Sequence, residues 1–422
     1  MRYLSTLIPF LMWAGFCWSS KSEPVEVCHD GPSGYPRVKK LRQVTSGPKH
    51  HFCGCYYGIC PWDATGRYLV VLETEFSNRL PQKNDEAALC LVDLETGQLR
   101  RLGTTQAWNF QQGAMVHWLG TAPDKEIIYN DYMDGHLISV ILNVHTGERR
   151  TLPLPVAAVA PDGKTAISIN FHRLRRLRPG YGYAGGEDPF ADEPHPANDG
   201  LFLIDLRSGA TKLILSLEAI WKAYPLSSQE KEPLFINHVI YNRSGDRLFF
   251  LARLGDGRLT ACMTVGIDGS QLVCLFPYSV YGGSHYDWLD ERRLVITRYQ
   301  PQAKPPWVHL LLTDGKPESA VVLAPQVLTR DGHCHVSPDG KWLVTDTYPD
   351  EDRKQSLYLM RLDKSDTAVR IARFYSPPDF RGDWRCDLHP RWSRDGKQIC
   401  IDSTHDGTRQ VYILELAWAN HK

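Results

Sequence analysis

The sequence predicts an all-β protein, a seven-bladed β-propeller, and three observations carry that prediction. Aromatic and turn-forming residues abound, with 12 Trp, 19 Tyr, 33 Gly and 28 Pro, and no long helical period runs through the chain. One strand–turn–strand unit recurs along it. The segment before the first unit has the character of a strand without a blade of its own.

The repeat is clearest in two places. Gly332-His333-Cys334-His335-Val336-Ser337-Pro338-Asp339-Gly340 leads into the apolar run Trp342–Asp346 and then Ser356–Leu362. His389-Pro390-Arg391-Trp392-Ser393-Arg394-Asp395-Gly396 leads into Ile399–Asp402 and then Val411–Leu414. With Ser337 and Ser393 as reference, equivalents stand at Asp63, Leu119, Ala160, Asn242 and Leu289, which makes seven units. Their spacing of about 40–55 residues, with one longer interval, suits a four-stranded blade. A single such sheet cannot bury both faces, so the units must pack around an axis. The last unit ends without a fourth strand, and Val38–Val44 resembles one; the N-terminal strand is expected to complete the last blade. A six-bladed ring with a divergent half-blade is the alternative.

The propeller domain is expected over residues 35–422. Before it, Arg2 and the apolar run Tyr3–Trp18 read as a signal peptide over residues 1–20, with an h-region short for a bilayer span. The mature protein is then expected outside the cytoplasm, periplasmic or extracellular. Ala14-Gly15-Phe16-Cys17 is a poor match to a lipid-attachment box because Phe precedes the cysteine. No second apolar run could span a membrane. A formal net charge of zero argues against nucleic acid as a partner. A monomer is expected. Among 11 cysteines, Cys28, Cys53, Cys55 and Cys60 are close enough in sequence for one or two disulfides. Cys90, Cys262, Cys274 and Cys400 fall in apolar strands, where a thiol is a small hydrophobe.

The chemistry-bearing pattern lies in the repeat. Four residues before the reference position, at the channel end of the innermost strand, successive units carry His238, His285, His333 and His389. Strand alternation puts His335 on the side of His333, and His117 holds the equivalent of His335 in the second unit. Convergent imidazoles suit a divalent metal. The expected set is His285, His333 and His389, completed by His335 or Cys386; His238 is a ligand or a free base. A His/Cys set favours zinc over manganese. Inherited channel lining bonded to water is the bland alternative.

A long loop of the third unit faces the same mouth: Asn170 to Tyr183 carries four arginines, His172, Tyr181 and Tyr183, followed by an acidic stretch to Gly200. Some arginines can pair with Glu187, Asp188, Asp192 and Glu193. Arg253 stands at the matching strand end of the fourth unit. Arginines, a metal, histidines and tyrosines together suit β-elimination beside a uronate carboxylate. The carboxylate must be neutralised, a base must remove the C5 proton, and an acid must protonate the leaving oxygen. Glycoside hydrolysis wants paired carboxylates instead, for which Asp346 and Asp402 are the candidates.

The segments Asp331-Gly332-His333, Asp346–Asp350, Ser284–Trp288, Arg178–Tyr183 and Arg385–Trp392 resemble the oligogalacturonate lyase-like propellers, with ulvan lyases as relatives. The resemblance covers most of the chain after about residue 55 and implies a lyase acting on an anionic, uronate-containing glycan. It implies a metal, manganese in oligogalacturonate lyases, on the positions of His285, His333 and His335; the glutamine of that site has no equivalent here. By resemblance to ulvan lyases, His172 is the base and Arg253 the neutraliser. The acid tyrosine expected there is missing, and Tyr181 or Tyr183 stands in for it. Arg178, Tyr183 and His117 are expected to bind substrate, and Tyr181, His172, His238 and Arg253 to act on it. A non-catalytic sugar- or protein-binding propeller like TolB is the second reading.

Overall fold

The computed structural model describes residues 25–28, 32–364 and 366–418. The expected signal peptide and Cys17 lie outside the described residues. The strands form seven antiparallel sheets, so the chain is a seven-bladed β-propeller. Each blade runs from innermost strand a to outermost strand d. Blade 1 begins with His50–Cys53, blade 2 with His117–Trp118 and blade 3 with Ala158–Val159. Blades 4 to 7 begin with Leu234–Tyr241, Tyr286–Trp288, Cys334–Val336 and Arg391–Trp392. The outermost strand of blade 7 is Arg37–Gln43, antiparallel to Gln410–Ala417. Glu26–Val27 adds a fifth strand outside blade 6.

The repeat residue has a physical task. In four of the seven units the side chain at the reference position accepts a hydrogen bond from the backbone N–H five residues on, closing the turn between strands a and b. Asp63 does this for Tyr68 at 2.9 Å, Asn242 for Arg247 at 3.1 Å, Ser337 for Trp342 at 2.9 Å and Ser393 for Gln398 at 2.9 Å. Gly340 and Gly396 follow with φ of 69° and 68°, where a side chain would be strained.

A second recurring bond joins neighbouring blades. A polar residue near the end of strand b clasps the backbone at the start of the next blade. Asn130 accepts from Val156 N at 2.7 Å, Asp346 from His389 N at 3.0 Å, and Asp402 from Cys53 N at 2.9 Å. The last of these joins blade 7 to blade 1. Between blades the sheet faces are apolar: Phe249, Leu251, Trp288, Leu294 and Ile296 fill the space between blades 4 and 5. Val71, Cys90, Cys400, Val411 and Ile413 fill that between blades 7 and 1. Burial of both faces of every sheet is the dominant stabilising term.

Among the described residues no disulfide forms. Cys55 and Cys60 donate instead to the carbonyls of Ile59 and Trp62, and Cys28 lies on the edge of blade 6, where its N–H bonds Ile371. The sequence spacing of these cysteines therefore does not bring their sulfurs together. No helix of the described residues is long and apolar enough to cross a membrane.

Candidate active site on the channel axis

His285, His333 and His389 stand just before strands a of blades 5 to 7, His238 stands within strand a of blade 4 at a break in its register, and all four are buried. His285 and His333 have ring centroids 3.9 Å apart, and His333 and His389 are 4.3 Å apart. Two of the four, His238 and His389, have left-handed backbone, with φ of 57° and 46°. Such strain in non-glycine residues persists only where the surroundings hold it, and it clusters at functional sites.

Carboxylates orient the rings. His333 Nδ1 lies 2.9 Å from Asp346 Oδ1, and His285 Nδ1 lies 3.0 Å from Asp331 Oδ1. Asp331 is ionised and only accepts, so His285 Nδ1 carries the proton and its Nε2 presents a lone pair. Burial opposes the Asp331 charge, but His285 and the Ser284 hydroxyl outweigh it and hold that carboxyl at about 2. Burial raises Asp346 to about 7 and lowers His333 to about 4.

His333, Asp387 and His389 bring ligand atoms within 4.8 Å of one another. Nε2 of both histidines and Oδ1 of Asp387 are buried without a hydrogen-bond partner, and Asp387 Oδ2 has only an ion pair. Orphaned buried acceptors of this kind are costly. Here they converge, and a divalent cation satisfies all of them at once. The Arg385 guanidinium lies 2.8 Å from Asp387 Oδ2 as an ion pair.

Two sequence-predicted ligands stay outside. His335 lies two residues further along strand a, about 6–7 Å deeper. There it accepts from Trp392 N at 3.1 Å and lines the lower half of the channel. Burial lowers it to about 3. Cys386 is turned away, and burial pushes its thiol up to about 12, so it offers no thiolate. Its neighbour Asp387 is the converging group. The sulfur argument for zinc therefore falls away: the donors are two imidazoles and a carboxylate, and His285 flanks them.

Next to this cluster stands His238. Its ring stacks on Tyr56 at 5.0 Å, meets Tyr181 edge-on at 5.3 Å, and has Gln112 Nε2 3.4 Å from Nδ1. Burial, with Arg253 and Arg178 adding repulsion, drives its imidazole well below the ordinary value. It is neutral at pH 7 and able to accept a proton.

Arg253 donates to Asn237 Oδ1, Gly257 O and Thr260 Oγ1, all within 2.8 Å. Arg178 lies over the Tyr181 ring at 4.4 Å. Among the described residues no carboxylate forms an ion pair with either. Burial, then Arg178, lower Arg253 to about 9, which leaves it charged at neutral pH. Two cations without a carboxylate partner, Arg253 buried and Arg178 half-buried, are a site for an anion. The other loop arginines are spent: Arg173 and Arg176 pair with Asp188, and Arg175 donates to Pro81 O and Pro179 O.

Burial alone would raise the Tyr181 phenol, but Arg385 and Arg178 outweigh it and lower its pKa. Arg385 Nη2 donates to Tyr181 Oη at 3.1 Å. Gly180 packs on Asp383, so the long loop and the segment before blade 7 together cover the site.

The remaining predicted residues lie elsewhere. Phe171–Leu177 forms a short helix, α1, capped by Asn170. His172 faces Tyr132, with Nε2 3.0 Å from the hydroxyl, and Gly186 packs on its ring; no contact joins it to His238. Tyr183 is core: it stacks on Phe171 at 4.6 Å and accepts from Asn130 at 3.1 Å. His117 bonds Met115 O at 2.8 Å and lines the lower channel with His335, away from Arg178.

Sequence reasoning missed three groups. Asp387 sits two residues from a repeat position. Tyr56 and Tyr57 follow strand a of blade 1 and plug the axis: Tyr57 bonds both backbone groups of Tyr286, and its ring lies 5.1 Å from that of His333. Tyr348 lies 5.8 Å from His333, ring to ring. A cavity of about 330 Å³ fills the lower channel and ends at Tyr56, Tyr57, His238 and Tyr286. The hydrolase candidates are committed to structure: Asp346 to the His333 and His389 backbones, Asp402 to Cys53 N and Arg391.

No family model matches the chain, and no curated protein matches it. Solved structures do. An oligogalacturonate lyase from Vibrio parahaemolyticus is similar with a TM-score of 0.61 at 16% identity, over 93% of this chain and 96% of that one. An oligogalacturonate lyase in complex with manganese is similar with a TM-score of 0.65 at 16% identity, over 94% and 97%. At that identity the likeness establishes a shared propeller scaffold.

Proposed function

We propose that this protein is a metal-dependent lyase that cleaves a uronate-containing oligosaccharide, of the oligogalacturonate type, by β-elimination. One observation carries the proposal: orphaned metal-ligand atoms of His333, Asp387 and His389 stand beside a neutral histidine and two cations without counter-charges. The similarity to a lyase in complex with manganese supports it.

His333, Asp387 and His389 hold the cation, with His285 flanking. Two imidazoles and a carboxylate would accept several divalent metals, and the similarity to a lyase in complex with manganese favours manganese among them. A bound divalent cation supplies positive charge that, with arginine, makes a uronate α-proton acidic enough to remove. Arg178 and Arg253 pair with the substrate carboxylate. His238 accepts the C5 proton. Tyr181, its phenol made more acidic by two guanidiniums, donates to the glycosidic oxygen. Tyr181 and Arg385 must part for a glycan to reach His238, because His238 and Tyr181 are buried against each other.

The test is direct. Purified protein loaded with manganese is scanned against uronate-rich glycans for the far-ultraviolet absorbance of a 4,5-unsaturated uronate. The expected result is new absorbance with oligogalacturonate and none after chelation. No absorbance with any uronide, with one equivalent of metal bound, overturns the proposal.

A further inference from the structure

The seam between the first and last blades holds a pair of thiols that the proposed reaction does not use. Cys53 lies in strand a of blade 1, and Cys400 in Gln398–Ser403, strand b of blade 7. They are 347 residues apart in sequence, yet their sulfurs are 3.5 Å apart. Neither is more than 1% exposed. Asp402 fixes the approach, since it belongs to the same strand as Cys400 and accepts from Cys53 N at 2.9 Å.

A cation sits among the sulfurs. Arg391 donates to Asp402 Oδ2 and to the carbonyls of Cys55 and Tyr56. Its Nη1 is buried without a partner. Burial opposes its charge, but Cys53, Asp402, Cys55 and Cys400 around it outweigh that and hold it above its ordinary range. Burial holds the Cys400 thiol well above its ordinary value, so the closed ring keeps the pair unreactive.

We propose that Cys53 and Cys400 are a redox pair that closes to a disulfide on meeting a low-molecular-weight disulfide, fastening blade 7 to blade 1. The Cys53 thiolate attacks one sulfur of the external disulfide, whose other sulfur leaves as a thiolate. Cys400, losing its proton to that thiolate, then attacks Cys53 Sγ and displaces the second external thiolate. The two protein thiols lose two electrons, and the external disulfide gains them and the two protons, becoming two thiols. From 3.5 Å the sulfurs close to about 2.05 Å by side-chain rotation. Exchange takes place while the seam is open, during folding or transient opening, because both sulfurs are covered in the closed ring.

The test uses the full chain and is independent of any glycan. The protein is refolded across a series of oxidised and reduced glutathione mixtures, quenched in acid, unfolded, alkylated, digested and mapped by mass spectrometry. The expected result is a Cys53–Cys400 linked peptide, two fewer alkylated thiols than in the reduced protein, and a higher urea midpoint that a reductant reverses. Cys400→Ala is expected to abolish the linked peptide and the midpoint shift. Recovery of Cys53 and Cys400 as alkylated thiols at every ratio overturns the proposal, as does recovery of Cys53 linked to Cys55 or Cys60. The mapping decides even if the variant folds poorly.

Discussion

Asp402→Ala is expected to open the ring at its seam. Asp402 holds two partners: Cys53 N at 2.9 Å on Oδ1 and the Arg391 guanidinium at 3.2 Å on Oδ2. The Asp402 and Arg391 side chains are 4% and 1% exposed, so water replaces neither bond. Removing the carboxylate strands a buried charge, which costs about 3–5 kcal/mol. The amide of Cys53 also loses a charged acceptor, worth about 1.5–3 kcal/mol, part of which overlaps the first loss. A total near 4–6 kcal/mol follows. Asp402→Leu combined with Arg391→Met removes both charges and leaves the Cys53 amide and the Cys55 and Tyr56 carbonyls unpaired, so the double variant is expected to lose about 3–5 kcal/mol, less than the sum of the two single changes. The two changes should therefore couple by about 2 kcal/mol or more. The assay is equilibrium urea unfolding of the fully reduced protein, followed by tryptophan fluorescence. A cost below about 1 kcal/mol for Asp402→Ala, or additivity within about 0.5 kcal/mol, refutes the argument.

Other expectations follow from the site. His238→Asn should lower turnover by at least about 10²-fold while manganese content stays unchanged, by metal analysis of the same preparation. Asp387→Ala should weaken manganese binding by about 100-fold or more in a metal titration, whereas Cys386→Ala should leave it within about threefold. Tyr183→Phe should cost about 1 kcal/mol of stability through the lost Asn130 bond and leave turnover unchanged. His309 gives a pH signature: burial lowers it to about 4, so the folded protein refuses a proton that the unfolded chain takes up below about 6.5. Stability should fall by about 1.4 kcal/mol per pH unit from this group as pH drops from about 6.5 to about 4. His309→Gln should flatten that slope in urea unfolding at successive pH values.

The fold was legible because its repeat residues do local work. Ser337, Ser393, Asp63 and Asn242 each close the same turn, so the same chemistry returns at the same offset. The ring of histidines was legible for the same reason: in blades 4 to 7 strand a ends just before the reference position, so the residue four before it recurs at one level. The site itself followed rules with no period. Asp387 reaches the axis because the chain before blade 7 curls inward, which no strand alternation encodes. His335 obeys the alternation but lies too deep along the strand to meet His333. The stretch around His172 reads as loop, yet α1 forms there under the Asn170 cap, sending Arg173 inward and His172 toward Tyr132. Cysteine spacing near residue 53 failed as a guide because the nearest sulfur belongs to the other end of the chain.

The tyrosines on the axis have a consequence for traffic. Tyr56 and Tyr57 are each 4% exposed and line the cavity together with His238 and Tyr286. Packed on the axis against His238, His333 and His389, they stand in the path of anything passing along it. No polymer can be drawn through the ring, and whatever arrives at the upper rim must depart over the same rim. Turnover of a long chain would then proceed by repeated landing and release, never by threading, and the parting of Tyr181 from Arg385 would set the pace at both ends of each visit.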